Sequence, residues 1–285
     1  MRSQGRSGLR VVSGIAIGLA AAPSLVAGQA FDHSGWDAAV SKFVTADGVR
    51  YADLKRGRVG LDSYVDLLAG VDSAAFDSWS RAERIAYLIN AYNSLVVRQV
   101  IDNHPIRRRI LNLRGLFRPK DSVWQISGFF DGIRHRVAGR DITLDDIEHR
   151  WLRDKLDEPR IHFALVCAAV SCPPFRREAY LAERLDEQLD DQARQFFNDP
   201  MRNTFDMESG EVRLSAILGW FGDDFERFAP ATGFTGDAAQ RGSLAFAARF
   251  LPAETAAWLR AGDYTVQHLD YDWTLNDVAH RVTRR

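Results

Sequence analysis

Cysteine is scarce in this chain. Only two occur in 285 residues, which excludes the disulfide-stapled framework of a small secreted domain and leaves room for one bridge. A clear excess of either charge is missing as well: 37 basic and 38 acidic residues give a formal net charge of −1. Phosphate neutralisation needs a cationic surplus, so nucleic acid is excluded as the main partner. After residue 30 no apolar run approaches the ~20 residues that span a bilayer, so the mature chain should have no transmembrane segment and should be soluble. The H-E-x-x-H and C-x-x-C spacings of metal sites, the G-x-S-x-G elbow of hydrolases and Gly-rich phosphate loops are absent too. Neither a metal nor a cofactor is expected.

Acidic residues are absent from the first thirty positions, where Arg2, Arg6 and Arg10 precede the apolar run Val11 to Ala22 and small residues up to Ala30. Basic head, short apolar middle and small-residue exit are the pattern of a cleavable signal peptide. Cleavage is expected between residues 27 and 30, leaving 31–285 as a single domain that is periplasmic or secreted. Those three arginines are the segment's only charges, so their removal moves the formal charge from −1 to −4. The ~255 residues that remain suit one large domain. At 46% hydrophobic and 11% aromatic, disorder is not expected.

Periodicity gives a helix-rich α+β fold with a small sheet and β-hairpins. Asp32 or Ser34 caps a helix with Trp36, Ala39, Val40, Phe43 and Val44 on one face. Val49 and Tyr51 suggest a short strand after the turn at Thr45–Gly48. Leu61, Tyr64, Val65 and Leu68 mark a second helix, and Arg81 to Asp102 a third, apolar nearly all round and therefore central, ended by His104-Pro105. Val123–Ile126 and Arg134–Val137 read as a hairpin around Asp131-Gly132, with a further turn at Ala138-Gly139. Thr143 starts a helix with Leu144, Ile147, Trp151 and Leu152. Ile161–Ala168 reads as a buried strand, Glu178–Asn198 as a long helix, and Thr204–Leu214 as a hairpin around Ser209-Gly210. Ser215 caps Ala216–Phe228, Ala229–Gly242 is a loop, and Leu244–Arg260 and Tyr264–Leu269 make a last helix and strand. No internal repeat is present.

Both cysteines fall within His162-Phe-Ala-Leu-Val-Cys167-Ala-Ala-Val-Ser171-Cys172-Pro-Pro174, where an apolar run breaks into a Pro-stiffened loop. In a straight strand His162 and Cys167 face opposite sides and meet only across a bulge; on spacing alone Cys172 is the freer partner for His162. A thiol becomes a useful nucleophile when a base or positive charge lowers its pKa from ~8.5, and His162, His149, Arg176 and Arg177 are the groups at hand. Catalytic or redox thiols, a small structural disulfide and inert buried thiols are the three readings of the pair.

Glu148 shares the apolar stripe of its helix with Ile147, and a carboxylate there is costly unless paired. With His149 it reads as an orienting carboxylate beside an acid/base, as two metal ligands, or more plainly as the partner of an arginine. A metal centre would need Glu148, His149, His135 and His162 to converge from separate elements. Asn90 and Asn93 stand one turn apart in the central helix and reach one target, either a ligand or a backbone that they clamp. With Tyr92 and Ser171 they are the candidate substrate contacts. The run Arg107, Arg108, Arg109, Arg114, Arg118 and Lys120 reads as solvated surface, or as an attractor for an anionic ligand or membrane face.

Five stretches, Phe31-Asp-His-Ser-Gly-Trp36, Leu88-Ile-Asn-Ala-Tyr-Asn93, Leu144-Asp-Asp-Ile-Glu-His149, His162–Cys167 through Ser171-Cys-Pro173, and Tyr271-Asp-Trp-Thr-Leu-Asn276, resemble domain-of-unknown-function family 547. The resemblance implies a secreted bacterial protein. The same family forms the C-terminal part of plant leucine-zipper proteins and is joined to glutaredoxin-like domains in some eukaryotes, which implies a link to thiol chemistry. Its pattern often reads Asn-Cys-Ala-Ser where this chain has Val166-Cys-Ala-Ala169, and it weights Cys167 at least as much as Cys172.

The leading expectation is therefore an exported thiol-dependent hydrolase or acyl transferase acting on a small molecule or peptide. Cys167 or Cys172 would be the nucleophile, His162 or His149 the base, Glu148 the orienting carboxylate, and Asn90 or Asn93 a polarising donor. The alternatives are a non-catalytic binding or scaffold domain with a structural Cys167–Cys172 disulfide, and a thiol–disulfide exchange protein.

Overall fold

The computed structural model describes residues 30–108, 113–229 and 232–282. The expected signal peptide therefore lies almost wholly outside the described residues, as does Arg109 of the basic run. Helix α1 (Ser34–Phe43) buries Trp36, Ala39, Val40 and Phe43, the three-and-four spacing that puts one stripe on a core. A two-residue hairpin follows, β1 (Val44–Thr45) with β2 (Gly48–Val49). Tyr51 then opens helix α2 (Tyr51–Arg56) instead of ending a strand, and its hydroxyl donates to Asn276 Oδ1 at 2.8 Å. Helices α3 (Val59–Gly70) and α4 (Ser73–Ser78) lead to α5 (Arg81–Asn103). Reciprocal Ser80 and Glu83 bonds cap α5 at its start. It is buried nearly all round and ends at His104-Pro105, as its sequence dictates.

The following segment corrects the sequence reading. Val123–Gln125 is one 3-10 turn capped by Ser122, not a strand. The hairpin is β3 (His135–Val137) with β4 (Arg140–Ile142), joined by Ala138 and Gly139 at φ +49° and +72°. A two-residue loop with both residues at positive φ matches the twist of its flanking strands. Asp131-Gly132 instead belongs to a loop folded on itself, Gly132 N–H donating to Gly128 O at 2.9 Å.

Asp146–Arg153 is a π-helix, a wide form that is rare and frequent at functional sites. Its start is held by reciprocal bonds between Thr143 and Asp146. The expected strand Ile161–Ala168 is also corrected: Ile161–Ala164 is a single helical turn, α6, with extended chain only from Leu165. A short apolar run has the same composition in either state, so periodicity could not separate them.

Helix α7 (Leu185–Phe197) follows, then β5 (Thr204–Asp206) and β6 (Glu211–Leu214), the hairpin expected there. The predicted helix over 216–228 breaks at Phe221 into α8 (Ala216–Trp220), capped by Ser215, and α9 (Gly222–Glu226). The predicted helix over 244–260 is two, α10 (Ala238–Ala247), begun by an Asp237–Gln240 capping box inside the stretch read as loop, and α11 (Ala253–Ala261) after Pro252. Strand β7 (Thr265–His268) adds parallel to β6, and α12 (Val278–Val282) ends the described chain.

The fold is α+β, helix-rich and a single domain. One apolar core surrounds α5; a second, dominated by Phe163, Phe196, Phe197, Phe225 and Phe246, lies against the three-stranded sheet. Helix α6 sits between them, Ile161 and Ala164 in the first core and Phe163 in the second. No described helix is long and apolar enough to cross a membrane.

Candidate functional site

Where the two cores meet, a cavity of 710 Å³ opens beside α6. Tyr92, Glu148, His149, His162 and Cys167 all line it, although they come from α5, the π-helix, α6 and the loop beyond. Asn90, Asn93, Ser171 and Cys172 are not among its lining residues. The strand-based preference for Cys172 as the partner of His162 is thereby reversed, because its premise, alternation along 161–167, does not hold.

Cys167 and Cys172 are bonded to each other, with Cα atoms 6.3 Å apart. The two sulfurs differ in setting: Cys167 is half-buried on the cavity wall, whereas Cys172 is 1% exposed. Cys172 Sγ accepts from the backbone N–H groups of Cys167 at 3.0 Å and Ala169 at 3.3 Å and from the Tyr271 hydroxyl at 3.3 Å. The same hydroxyl lies 3.0 Å from Cys167 Sγ.

The chain between the cysteines is held from outside. Ala168 has φ +62°, a left-handed conformation that costs an alanine roughly 1–2 kcal/mol. The C-terminal segment straps the loop in place: Asn276 N–H donates to Ala168 O at 3.0 Å, Val170 N–H to Thr274 O at 2.8 Å, and Ser171 N–H to Asp272 O at 3.2 Å. The Ser171 hydroxyl completes the strap by accepting from Asp272 N–H. Asn90 and Asn93 clamp backbone: Asn90 bonds both ways to Tyr180, and Asn93 donates to Ala164 O and accepts from Val166 N–H. Asn93 thus fixes the exit of α6, just before Cys167.

His162 is 4% exposed and stacks on Phe221, with ring centroids 4.0 Å apart. Its Nε2 lies 2.8 Å from Asp224 Oδ2, and Asp224 is held by a two-pronged Arg153 contact at 2.6 and 3.0 Å. Burial opposes ionisation of Asp224, but bonds from His162 and Arg153 outweigh it and hold its carboxyl well below the usual range. An ionised carboxylate only accepts, so Nε2 carries the ring hydrogen. Burial also pushes the His162 pKa down, against the upward pull of Asp224 and Glu148. The neutral ring then leaves Nδ1 with a lone pair, and that atom is buried with no hydrogen-bond partner. His149 engages the other nitrogen. Its Nδ1 faces Arg153 Nη1 at 3.1 Å, a donor-only group, so Nδ1 accepts and Nε2 carries the ring hydrogen. Both rings line the one cavity, His162 with a partnerless Nδ1 and His149 with its hydrogen on Nε2.

Glu148 pairs with no arginine among the described residues, contrary to the plainer expectation for it. Its neighbours are instead the Tyr92 phenol, pushed well up by burial and then by the Glu148 charge, and the Tyr271 phenol, pushed up mainly by burial. The carboxylate that orients His162 is Asp224, which the sequence reading passed over. The signal was there: Asp224 stands beside Phe225 and three residues after Phe221, a carboxylate on an apolar stripe like Glu148. Tyr271 was seen only as part of a motif. Among the described residues no group of three His, Cys, Asp or Glu is placed to hold a metal ion.

The family comparison bears on this cavity directly. Residues 76–197 match the family described as Protein of unknown function, DUF547. The match supports the resemblance seen in the motifs, and it covers Tyr92, Glu148, His149, His162 and both cysteines. Asp224, Tyr271 and the other walls from the second core lie beyond it. No curated protein and no solved structure matches the chain.

Proposed function

We propose that the chain is a thiol-dependent hydrolase or acyl transferase whose nucleophile is Cys167, released when the Cys167–Cys172 bridge is reduced. One observation carries the reading: the Cys167 sulfur shares a cavity with a buried histidine whose Nε2 is tied to an ionised aspartate and whose Nδ1 is free. A dithiol reductant gives two hydrogens to the bridge and becomes a disulfide. His162 Nδ1 then takes the Cys167 proton, and the thiolate attacks an acyl carbon. A C–S bond forms, the bond to the leaving group breaks, and His162 returns the proton to that group. Water or an acceptor cleaves the thioester and frees Cys167. His149 Nε2–H supplies a donor toward the developing oxyanion, and Asp224 holds the imidazole in the reactive tautomer. The site works outside the cytoplasm, after removal of the leader; a bond between the only two cysteines suits an oxidising compartment.

The test is alkylation of the reduced protein with iodoacetamide and identification of the modified cysteine. Cys167 should react first, and His162→Ala should slow it. Equal labelling of both cysteines, or a rate indifferent to His162, overturns the reading. A second reading, thiol–disulfide exchange, is favoured by the three donors on Cys172 Sγ, which would stabilise that sulfur as a leaving thiolate when Cys167 is attacked. It predicts a mixed disulfide of Cys167 with glutathione, without turnover of acyl esters.

A further inference from the structure

The carboxylates of the cavity wall divide into two kinds. Asp131 is paired with Arg114. Asp145 and Glu148 line the same wall, half-buried, with no cation at ion-pair distance among the described residues. Arg114, the arginine among the lining residues, is taken by Asp131, and Arg153 on their own helix is engaged by Asp224 and His149. Burial pushes the Asp145 carboxyl upward, with Glu148 and Asp131 adding to the effect and His149 opposing it. Carboxylates taken part-way out of water without a counter-charge are unfavourable, and a ligand can supply what the fold does not. The same cavity is lined by Trp124, Phe130, Trp220, Phe221, Tyr271 and Trp273, whose ring faces attract cations. That wall already does so at its rim, where the Arg118 guanidinium lies 5.3 Å from both the Trp124 and Trp273 rings. His162, which lines the hollow, has a buried Nδ1 without a hydrogen-bond partner, so the lining is not that of a purely apolar packing gap.

From this placement we infer that the cavity takes a substrate bearing a protonated amine, seated between the Asp145–Glu148 pair and the aromatic wall. The inference rests on the acyl-chemistry reading above and adds the substrate class: an amine-bearing acyl compound, with the cation fixing its orientation toward Cys167.

Three aromatic probes that differ only in their polar group test it. Benzylamine, benzyl alcohol and benzoate are titrated at pH 7 into the full mature chain, reading the fluorescence of the cavity tryptophans. Benzylamine, protonated at that pH, should bind about tenfold or more tighter than the alcohol, and benzoate should bind most weakly. The double variant Asp145→Asn, Glu148→Gln should bind amine and alcohol alike, with its affinity for the alcohol unchanged, which also shows that the cavity is intact. Equal binding of amine and alcohol by the parent chain, preference for benzoate, a preference that survives the double variant, or no saturable amine binding each overturns it. Because none of these readouts involves a thiol, their failure leaves the Cys167 labelling result standing, and the reverse holds too.

Discussion

Two histidine–aspartate pairs in this molecule have the same contact and different surroundings. His162 Nε2 meets Asp224 Oδ2 at 2.8 Å, and His104 Nε2 meets Asp277 Oδ2 at 2.8 Å. His104 ends α5, and Asp277 also accepts from Ala279 N–H at the start of α12. That pair therefore fastens the C-terminal segment to the central helix, the same segment whose preceding residues strap the cysteine loop. His162 lies on a cavity wall, its second nitrogen is unpartnered, and its aspartate is backed by Arg153. The comparison teaches that one and the same histidine–carboxylate bond fastens two segments in one place and, on the reading proposed above, orients a base in the other. The bond length cannot tell them apart.

The sharpest way to break this comparison is to make the same substitution in both pairs. Asp224→Asn should lower the turnover of a nitrophenyl ester by the reduced protein by roughly 10²–10⁴-fold, the contribution of a positioned base, while Asp277→Asn leaves it unchanged. Similar losses in both variants would erase the distinction. Proton linkage extends it to a histidine outside either pair. His33 has its pKa lowered to about 4 by burial, and His162 is lowered too. A histidine held neutral in the fold and protonated near 6.5 when unfolded stabilises the protein above that pH. The contribution is lost as pH falls from 6.5 toward 4, and for His33 it amounts to about 3 kcal/mol. Urea melts at pH 7 and 4.5 should show the drop, and His33→Gln should flatten it. The acid limb of kcat/KM should likewise lie below pH 6.5.

A smaller effect separates the two sulfurs. Cys172→Ser opens a short loop and should cost roughly 2 kcal/mol of stability, yet make ester turnover independent of added reductant. Cys167→Ser should cost the same stability and abolish turnover. Smallest of all, His104→Ala should lower stability by about 1–2 kcal/mol, the worth of one partly buried hydrogen bond to a charged group, with no change in Cys167 labelling.

Much of the scaffold was legible because its signals are local. The stripe Trp36, Ala39, Val40, Phe43 and the all-round burial of α5 follow from spacing, and Ser215 caps where its hydroxyl should. The strand expected at Ile161–Ala168 failed because four apolar residues in a row satisfy a helical turn and a strand equally well. Asp131-Gly132 misled because its turn chemistry suits both a hairpin and a closed loop. At the site, Glu148, His149, His162 and Cys167 were readable as oddities of type and place. Their roles were less so: the carboxylate that orients His162 is 62 residues away in sequence, and nothing local ties the two together.

By itself, then, the sequence determined which chemical groups the molecule can bring to a site: two sulfurs five residues apart, histidines inside apolar segments, and carboxylates where apolar side chains would be cheaper. Tertiary structure alone decided which sulfur faces the cavity, which histidine nitrogen is left basic, and which carboxylate holds it. The reason is range. Helical and strand preferences act over a few residues, whereas hydrogen-bond partners and tautomers are chosen when two cores close against α6 and bury what lies between them.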